Sequence, residues 1–205
     1  MHLVFSPNAS SLDGIEAKDV DEFKLAGLLG MTVTEGPHLP GPILKGHWRG
    51  FTVEITDAPR PLKLTHEPKP LFPTPKEFLI TFHLQKSSDV EIGIRHRALD
   101  AVGAMRPDLI GKRKCPMPPE FGREYLIMGP GAKAVKEIID EEMQELIRRL
   151  GQYGAPELTI QYSLLTYRGT GEFLKRYKEL PGMLGCMVEI ARHIDGKFTI
   201  GLGKA

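Results

Sequence analysis

Cysteine is nearly absent from this sequence: 205 residues contain two, Cys115 and Cys186. Two distant thiols argue against a disulfide-stapled secreted scaffold, and a chain of this length buries a core without staples or metals. Long apolar runs are missing as well, and none approaches the roughly eighteen residues a membrane helix needs. The first residues, Met1-His2-Leu3-Val4-Phe5-Ser6-Pro7, lack a basic start followed by an apolar core. No secretory signal is therefore expected, no membrane is expected as a partner, and the cytoplasm is the expected address. Charge of one sign is lacking too. The 27 basic and 26 acidic residues leave a net +1, whereas a protein built to neutralise many phosphates carries a basic excess, so nucleic acid is not the expected partner. Tryptophan occurs once, yet 41% hydrophobic and 26% charged residues are ordinary globular proportions and exclude a disordered or fibrous chain.

What is present reads first as strands. Ile43 to His47 leads into a turn at Trp48-Arg49-Gly50, and Phe51 to Thr56 leads out. Phe51, Val53 and Ile55 alternate there with polar residues, the period of a half-buried strand. Residues 57–75 hold six prolines and predict a stiff, extended strap. A second hairpin is predicted beyond it. Phe78, Ile80, Phe82 and Leu84 face one way, Lys86-Ser87-Ser88-Asp89 turns, and Val90, Ile92 and Ile94 continue the apolar face. Even positions then pair with even ones, which places His83, Gln85, Glu91 and Arg95 together on the polar face. Glu124 to Met128 predicts a further strand, Leu158-Ile160-Tyr162 another, and Leu165 with Tyr167 its partner. Phe198, Ile200 and Leu202 predict the last.

Helices fill the intervals. Asp19 is expected to cap a helix ending near Leu29, with Val20, Phe23 and Leu28 as its stripe and Gly30 as its stop. A short helix is expected over 98–105, and loop over 36–42 and 106–123. After Gly129-Pro130-Gly131 one long helix is predicted to Leu150. Its stripe is Val135, Ile138, Ile139, Met143, Leu146, Ile147 and Leu150; Arg148 and Arg149 stand in its last turn, and Gly151 stops it. Thr170 is expected to cap a helix through Leu180. Pro181-Gly182 then breaks it before Met183 to Ile194, which buries Leu184, Met187, Val188 and Ala191.

A β-rich first half thus precedes a β-α-β-β-α-β second half. The expected fold class is α+β, a mainly antiparallel sheet with two long helices on one face. Residues 1–205 are expected to form one domain, with a subdivision near residue 115 (19–105 and 120–205) as the alternative. The strand Glu124-Tyr125-Leu126-Ile127-Met128, the long helix and the apolar turn Met187-Val188-Glu189-Ile190-Ala191 together resemble uncharacterised bacterial domains of unknown function. The likeness covers residues 120–195 and implies no site.

Four groups of residues carry chemistry in principle. Gly129-Pro130-Gly131-Ala132-Lys133 joins a strand to a helix. Free amides there, with Lys133, fit an anion. Ala132 between Gly131 and Lys133, and Ala134 after it, break the P-loop pattern, and no third glycine completes a dinucleotide fingerprint; the competing reading is a tight turn. The face with His83, Glu91 and Arg95 combines an acid-base group, a carboxylate and an anion clamp, against a plain solvated sheet face. Lys112-Arg113-Lys114-Cys115 would favour a thiolate, unless it is simply solvated loop. The histidines His38, His47, His66, His96 and His193 lack metal-ligand spacing; Glu189 and His193 sit one turn apart, but two ligands make no site. No metal and no cofactor are expected. Trp48 is either a partner anchor or folds back on its own sheet, and the proline strap is either a ligand for a peptide reader or a structural tie.

The expected role is a non-catalytic binding or interaction domain with a protein partner or a small anionic ligand, forming homo-oligomers through sheet edges or helices. The alternative is a small hydrolase or transferase acting on an anionic substrate, with the Gly129–Lys133 turn as cradle and His83 or His96 as acid-base group.

Overall fold

The computed structural model describes residues 20–35, 41–58, 76–102 and 113–201. Its centre is β4 (Glu77–His96), a 20-residue strand with neighbours on both edges. β3 (Phe51–Asp57) pairs with its first half and β6 (Tyr125–Gly129) with its last four residues, while β7 (Glu157–Thr170) runs along the other edge. Beyond β3 come β2 (Ile43–Trp48) and β1 (Met31–Thr34); beyond β6 lies β5 (Arg113–Lys114). All of these pairs are antiparallel, and the seven-stranded sheet takes strands from both sides of residue 115. With the helices below, this is an α+β fold.

The β2–β3 hairpin forms as the alternation predicts. Trp48 faces Phe51, and the two-residue loop Arg49-Gly50 has φ of +49° and +95°. Positive φ at both positions is the turn that matches the twist of a hairpin, which glycine adopts freely and arginine at some cost. The predicted second hairpin does not form. Lys86-Ser87-Ser88-Asp89 stays within β4. Between the pairs His83–Leu164 and Ile92–Ile160, β4 advances nine residues while β7 advances four, so the surplus is accommodated as a bulge rather than a turn. Leu158-Ile160 and Leu165-Tyr167 are likewise one strand, not two. Tyr162 between them has φ +54° and is exposed, the extra residue that switches the buried parity from even to odd.

α1 (Glu22–Leu29) is capped by Asp21, whose carboxylate accepts from Lys24 N at 2.7 Å, and ends on left-handed Gly30. Its buried residues are Leu25, Ala26 and Leu29; of the expected stripe Val20 is buried and Leu28 packs partly buried on the core, but Phe23 is exposed, and Asp19 lies outside the described residues. α2 (Pro119–Glu124) falls where loop was expected, with proline in its first turn. A 3₁₀ turn, Arg97–Val102, occupies the described part of the short helix expected over 98–105, and 103–105 lie outside the described residues. The single long helix expected before Leu150 is two, α3 (Ala132–Ile138) and α4 (Glu141–Gly151). Asp140 takes the amide of Met143 at 3.0 Å and so begins a new helix.

α5 (Leu180–Gly201) corrects two expectations at once. Pro181 stands in its first turn, where a missing N–H costs nothing, and Phe198 continues the helix instead of starting a strand. Thr170 belongs to β7, and a 3₁₀ turn at Phe173–Arg176 precedes α5. Leu184, Met187, Val188 and Ala191 are buried as expected. Among the described residues, one continuous apolar cluster joins the five α-helices to one sheet face, that of Phe51, Val53 and Ile55 on β3 and Phe78, Ile80 and Phe82 on β4. Each large side chain moved into it contributes about 2 kcal/mol of transfer free energy. Residues 59–75 of the expected strap lie outside the described residues, as do residues 36–40 and 106–112 of the two expected loops, Lys112 among them.

Asp195 of α5 reaches the bulge of β4. Its carboxylate accepts from Gln85 N and Lys86 N, both at 3.2 Å, and its carbonyl accepts from Lys86 Nζ at 3.0 Å. The side chain is buried. Peptide groups released by the bulge thus find a charged acceptor on the helix that covers them.

Candidate functional site

A cleft of about 420 Å³ opens where β4 and α4 end and β6 begins, lined by His96, Glu124, Tyr125, Arg148, Gly151, Gly154 and Ala155. Its walls follow from the sheet register. His96 ends β4 and faces Tyr125, the first residue of β6. Their rings meet edge to face, centroids 5.1 Å apart. Phe121 of α2 stacks on Tyr125 at 4.6 Å, and the Arg148 guanidinium lies 5.5 Å from the Phe121 ring centre. The stack therefore holds both Tyr125 and Arg148 in place.

Polar groups in the cleft are mainly donors. Ala98 N donates to His96 Nδ1 at 3.1 Å, so the neutral ring carries its proton on Nε2. Tyr125 is buried, and its phenol makes no hydrogen bond within the described residues. Burial pushes the phenol pKa up; the Glu124 charge adds to this and the Arg148 charge opposes it, so the group stays a neutral O–H donor. A methyl group at Gly151 would lie 3.0 Å from the phenol oxygen, so glycine leaves room beside it. Arg148 stands 3.9 Å from Glu124 and 3.7 Å from Glu145, beyond hydrogen-bond contact with either.

The sequence-derived candidates are not brought together. His83 and Glu91 sit on one strand, about 25 Å apart if it were fully extended. His83 Nε2 faces Glu54 at 3.6 Å, and Glu54 is held by Lys45 at 2.6 Å. Glu91 accepts from Gln161 at 3.0 Å, and Arg95 donates to the carbonyl of Leu99 at 2.8 Å. In the Gly129–Lys133 turn, a methyl at Gly129 would lie 2.5 Å from Val135 Cγ2. Close packing of strand on helix thus accounts for that glycine. Gly131 has extended backbone at φ 176°, Lys133 is exposed, and α3 is seven residues long.

Cys115 is buried, and burial raises its pKa while a backbone hydrogen bond with Gly129 opposes the rise, so the thiolate reading of the basic run is disfavoured. Burial also raises the Cys186 thiol within the core. Trp48 is buried and folded back on its own sheet. Glu189 pairs with Arg149 at 2.7 Å rather than with His193. His193 instead lies between Asp140, 3.1 Å from Nε2, and Glu142, 3.3 Å from Nδ1. Carboxylates on opposite ring nitrogens cannot converge on one ion, and among the described residues no cluster of three metal-ligating side chains occurs.

Sequence reasoning singled out His96 but missed Tyr125 and Arg148. Phe121 and Tyr125 at four-residue spacing, in a segment read as loop and strand start, were the one available signal.

No protein-family model matches the chain, and no curated protein matches it. Among solved structures, the crystal structure of the mycobacterial trehalose monomycolate transport factor A, TtfA, is similar, with a TM-score of 0.55 at 10% identity, covering 84% of this chain and 93% of that one. At that identity the likeness is one of fold. Among the described residues no helix is long and apolar enough to cross a membrane.

Proposed function

We propose that this protein is a non-catalytic binding domain whose ligand occupies the cleft between His96, Tyr125 and Arg148. One observation carries the reading: Tyr125 is packed into the wall of the cleft, while its hydroxyl makes no hydrogen bond within the described residues. A ligand acceptor that replaces water on that hydroxyl contributes about 0.5–1.5 kcal/mol net. The volume lies within the usual range for small-molecule sites. Binding is favoured over acid-base catalysis because the His96 lone pair at Nδ1 is taken by Ala98 N–H. The ring then offers the cleft a donor and no base. That the trehalose monomycolate transport factor has a similar fold supports a binding use.

The test is amide shift mapping by NMR with a library of small polar fragments, repeated with Tyr125→Phe. Binders are expected to move the amides of His96, Gly151, Gly154 and Ala155. Tyr125→Phe should weaken them about tenfold, the worth of one hydrogen bond, at unchanged melting temperature. Absence of any binder at these amides, or binding indifferent to the phenol, overturns the reading.

A further inference from the structure

The charges of the cleft narrow the class of ligand. Arg148 and Glu124 stand side by side, 3.9 Å apart, and neither makes a hydrogen bond with its side chain within the described residues. Glu145 flanks Arg148 on the same helix at 3.7 Å. A bare anion attracted to Arg148 is repelled by Glu124 and Glu145, and a bare cation attracted to Glu124 meets Arg148. A ligand that carries both signs a bond or two apart gains at both ends.

Resting on the cleft as the binding site, we infer that its ligand is a small zwitterion of the α-amino acid type. One carbon holds the ammonium and the carboxylate of such a molecule, which places the two charges roughly 3 Å apart, from ordinary bond lengths. That spacing matches the separation of Arg148 and Glu124 with the signs reversed. The planar guanidinium takes the carboxylate, for which its paired N–H groups are shaped. Glu124 accepts from the ammonium. The Tyr125 O–H and the His96 Nε2–H are two further donors for carboxylate oxygens. The packing of Arg148 on Phe121 restrains the guanidinium before the ligand arrives, which lowers the ordering cost of binding. Gly154 and Ala155 leave the rest of the 420 Å³ to a side chain.

The experiment is calorimetric and NMR titration of the full chain with L-leucine and L-phenylalanine. Each is set against its single-charge counterparts: isoamylamine and 4-methylpentanoate, phenethylamine and 3-phenylpropionate. At least one amino acid is expected to bind tenfold or more tightly than both of its counterparts, with shifts at His96, Gly151 and Gly154. Glu124→Gln and Arg148→Gln should each abolish that preference, while circular dichroism and melting temperature show the variants folded. Equal binding of the carboxylates and the amino acids, or no binding of any of them while other fragments still move the cleft amides, overturns this inference and leaves the cleft as a site. If no fragment of any charge moves those amides, the cleft reading falls with it.

Discussion

Asp195→Ala isolates what holds the bulge of β4. The substitution removes two hydrogen bonds from backbone N–H groups to a carboxylate, from Gln85 and Lys86, both at 3.2 Å. A hydrogen bond to a charged acceptor contributes about 1.5–3 kcal/mol, and the long distances place these two near the lower end. The expected loss is therefore about 3 kcal/mol. The bond from Lys86 Nζ reaches the backbone carbonyl of residue 195 and survives the substitution. Asp195→Asn keeps one neutral acceptor and should lose about half as much. Urea unfolding measures this as a lower midpoint at unchanged slope, provided unfolding is two-state. Hydrogen exchange then locates it: Gln85 and Lys86 amides should exchange faster by more than the global loss accounts for, while Ile80 follows the global change. A loss under about 0.5 kcal/mol for the alanine variant, or uniform acceleration across β4, would refute the idea that the carboxylate of α5 stabilises the bulge.

Three further outcomes follow from packing and charge. Gly129→Ala puts a methyl 2.5 Å from buried Val135 Cγ2 and should cost about 1–3 kcal/mol by urea unfolding; a neutral result would return that glycine to the anion-cradle reading. Tyr162→Gly removes an exposed side chain from a left-handed backbone position and should stay within about 0.5 kcal/mol of the parent, whereas Thr159→Gly in regular strand should lose about 1 kcal/mol. Burial opposes ionisation of Asp140, but hydrogen bonds from Lys197 and Met143 N and the neighbouring His193 and Lys197 charges outweigh it and lower its pKa below the ordinary 3.8. A depressed folded pKa stabilises the fold above the unfolded value, and that contribution is lost as pH falls through the folded one. The urea midpoint should therefore fall with pH below about 4, and Asp140→Asn should flatten that slope at the cost of a lower midpoint at neutral pH.

How far the fold was legible depended on whether the deciding group was local. The β2–β3 hairpin was, because alternation on both sides and glycine at the turn agree. β7 was half legible. Its parity switch between Ile160 and Leu165 was visible, but no glycine, proline or asparagine lies between them. One extra residue at Tyr162 accounts for the switch, where alternation alone predicts a chain reversal. In β4 the Lys-Ser-Ser-Asp run mimics a turn, and the group that lets the chain stay extended is Asp195, 109 residues from Lys86. No local pattern contains that information. The α3–α4 break lies between. The apolar stripe runs through it at helical spacing, yet Asp140 followed by Glu141 and Glu142 is also a cap with an acidic first turn, and the cap prevails.

The cleft shows the same limit in chemistry. Its three donors come from the end of β4, the junction of α2 with β6, and the last turn of α4, and only the register His96–Tyr125 brings the first two together. As a residue type His96 reads as an acid-base group, since its ordinary pKa lies near neutrality. Its backbone position reverses that role. The strand ends there and the chain turns into a 3₁₀ segment whose amide at Ala98 takes the Nδ1 lone pair, leaving Nε2 as the donor of the neutral ring. Arg148 is displaced from its sequence reading in a similar way. As a cation in the last helical turn it complements the dipole, but Phe121 beneath it and Glu124 beside it give the guanidinium a fixed place at the mouth of a cavity. Neither change of role follows from residue type or spacing; each follows from which backbone amide or ring happens to lie next to the side chain once the sheet has closed.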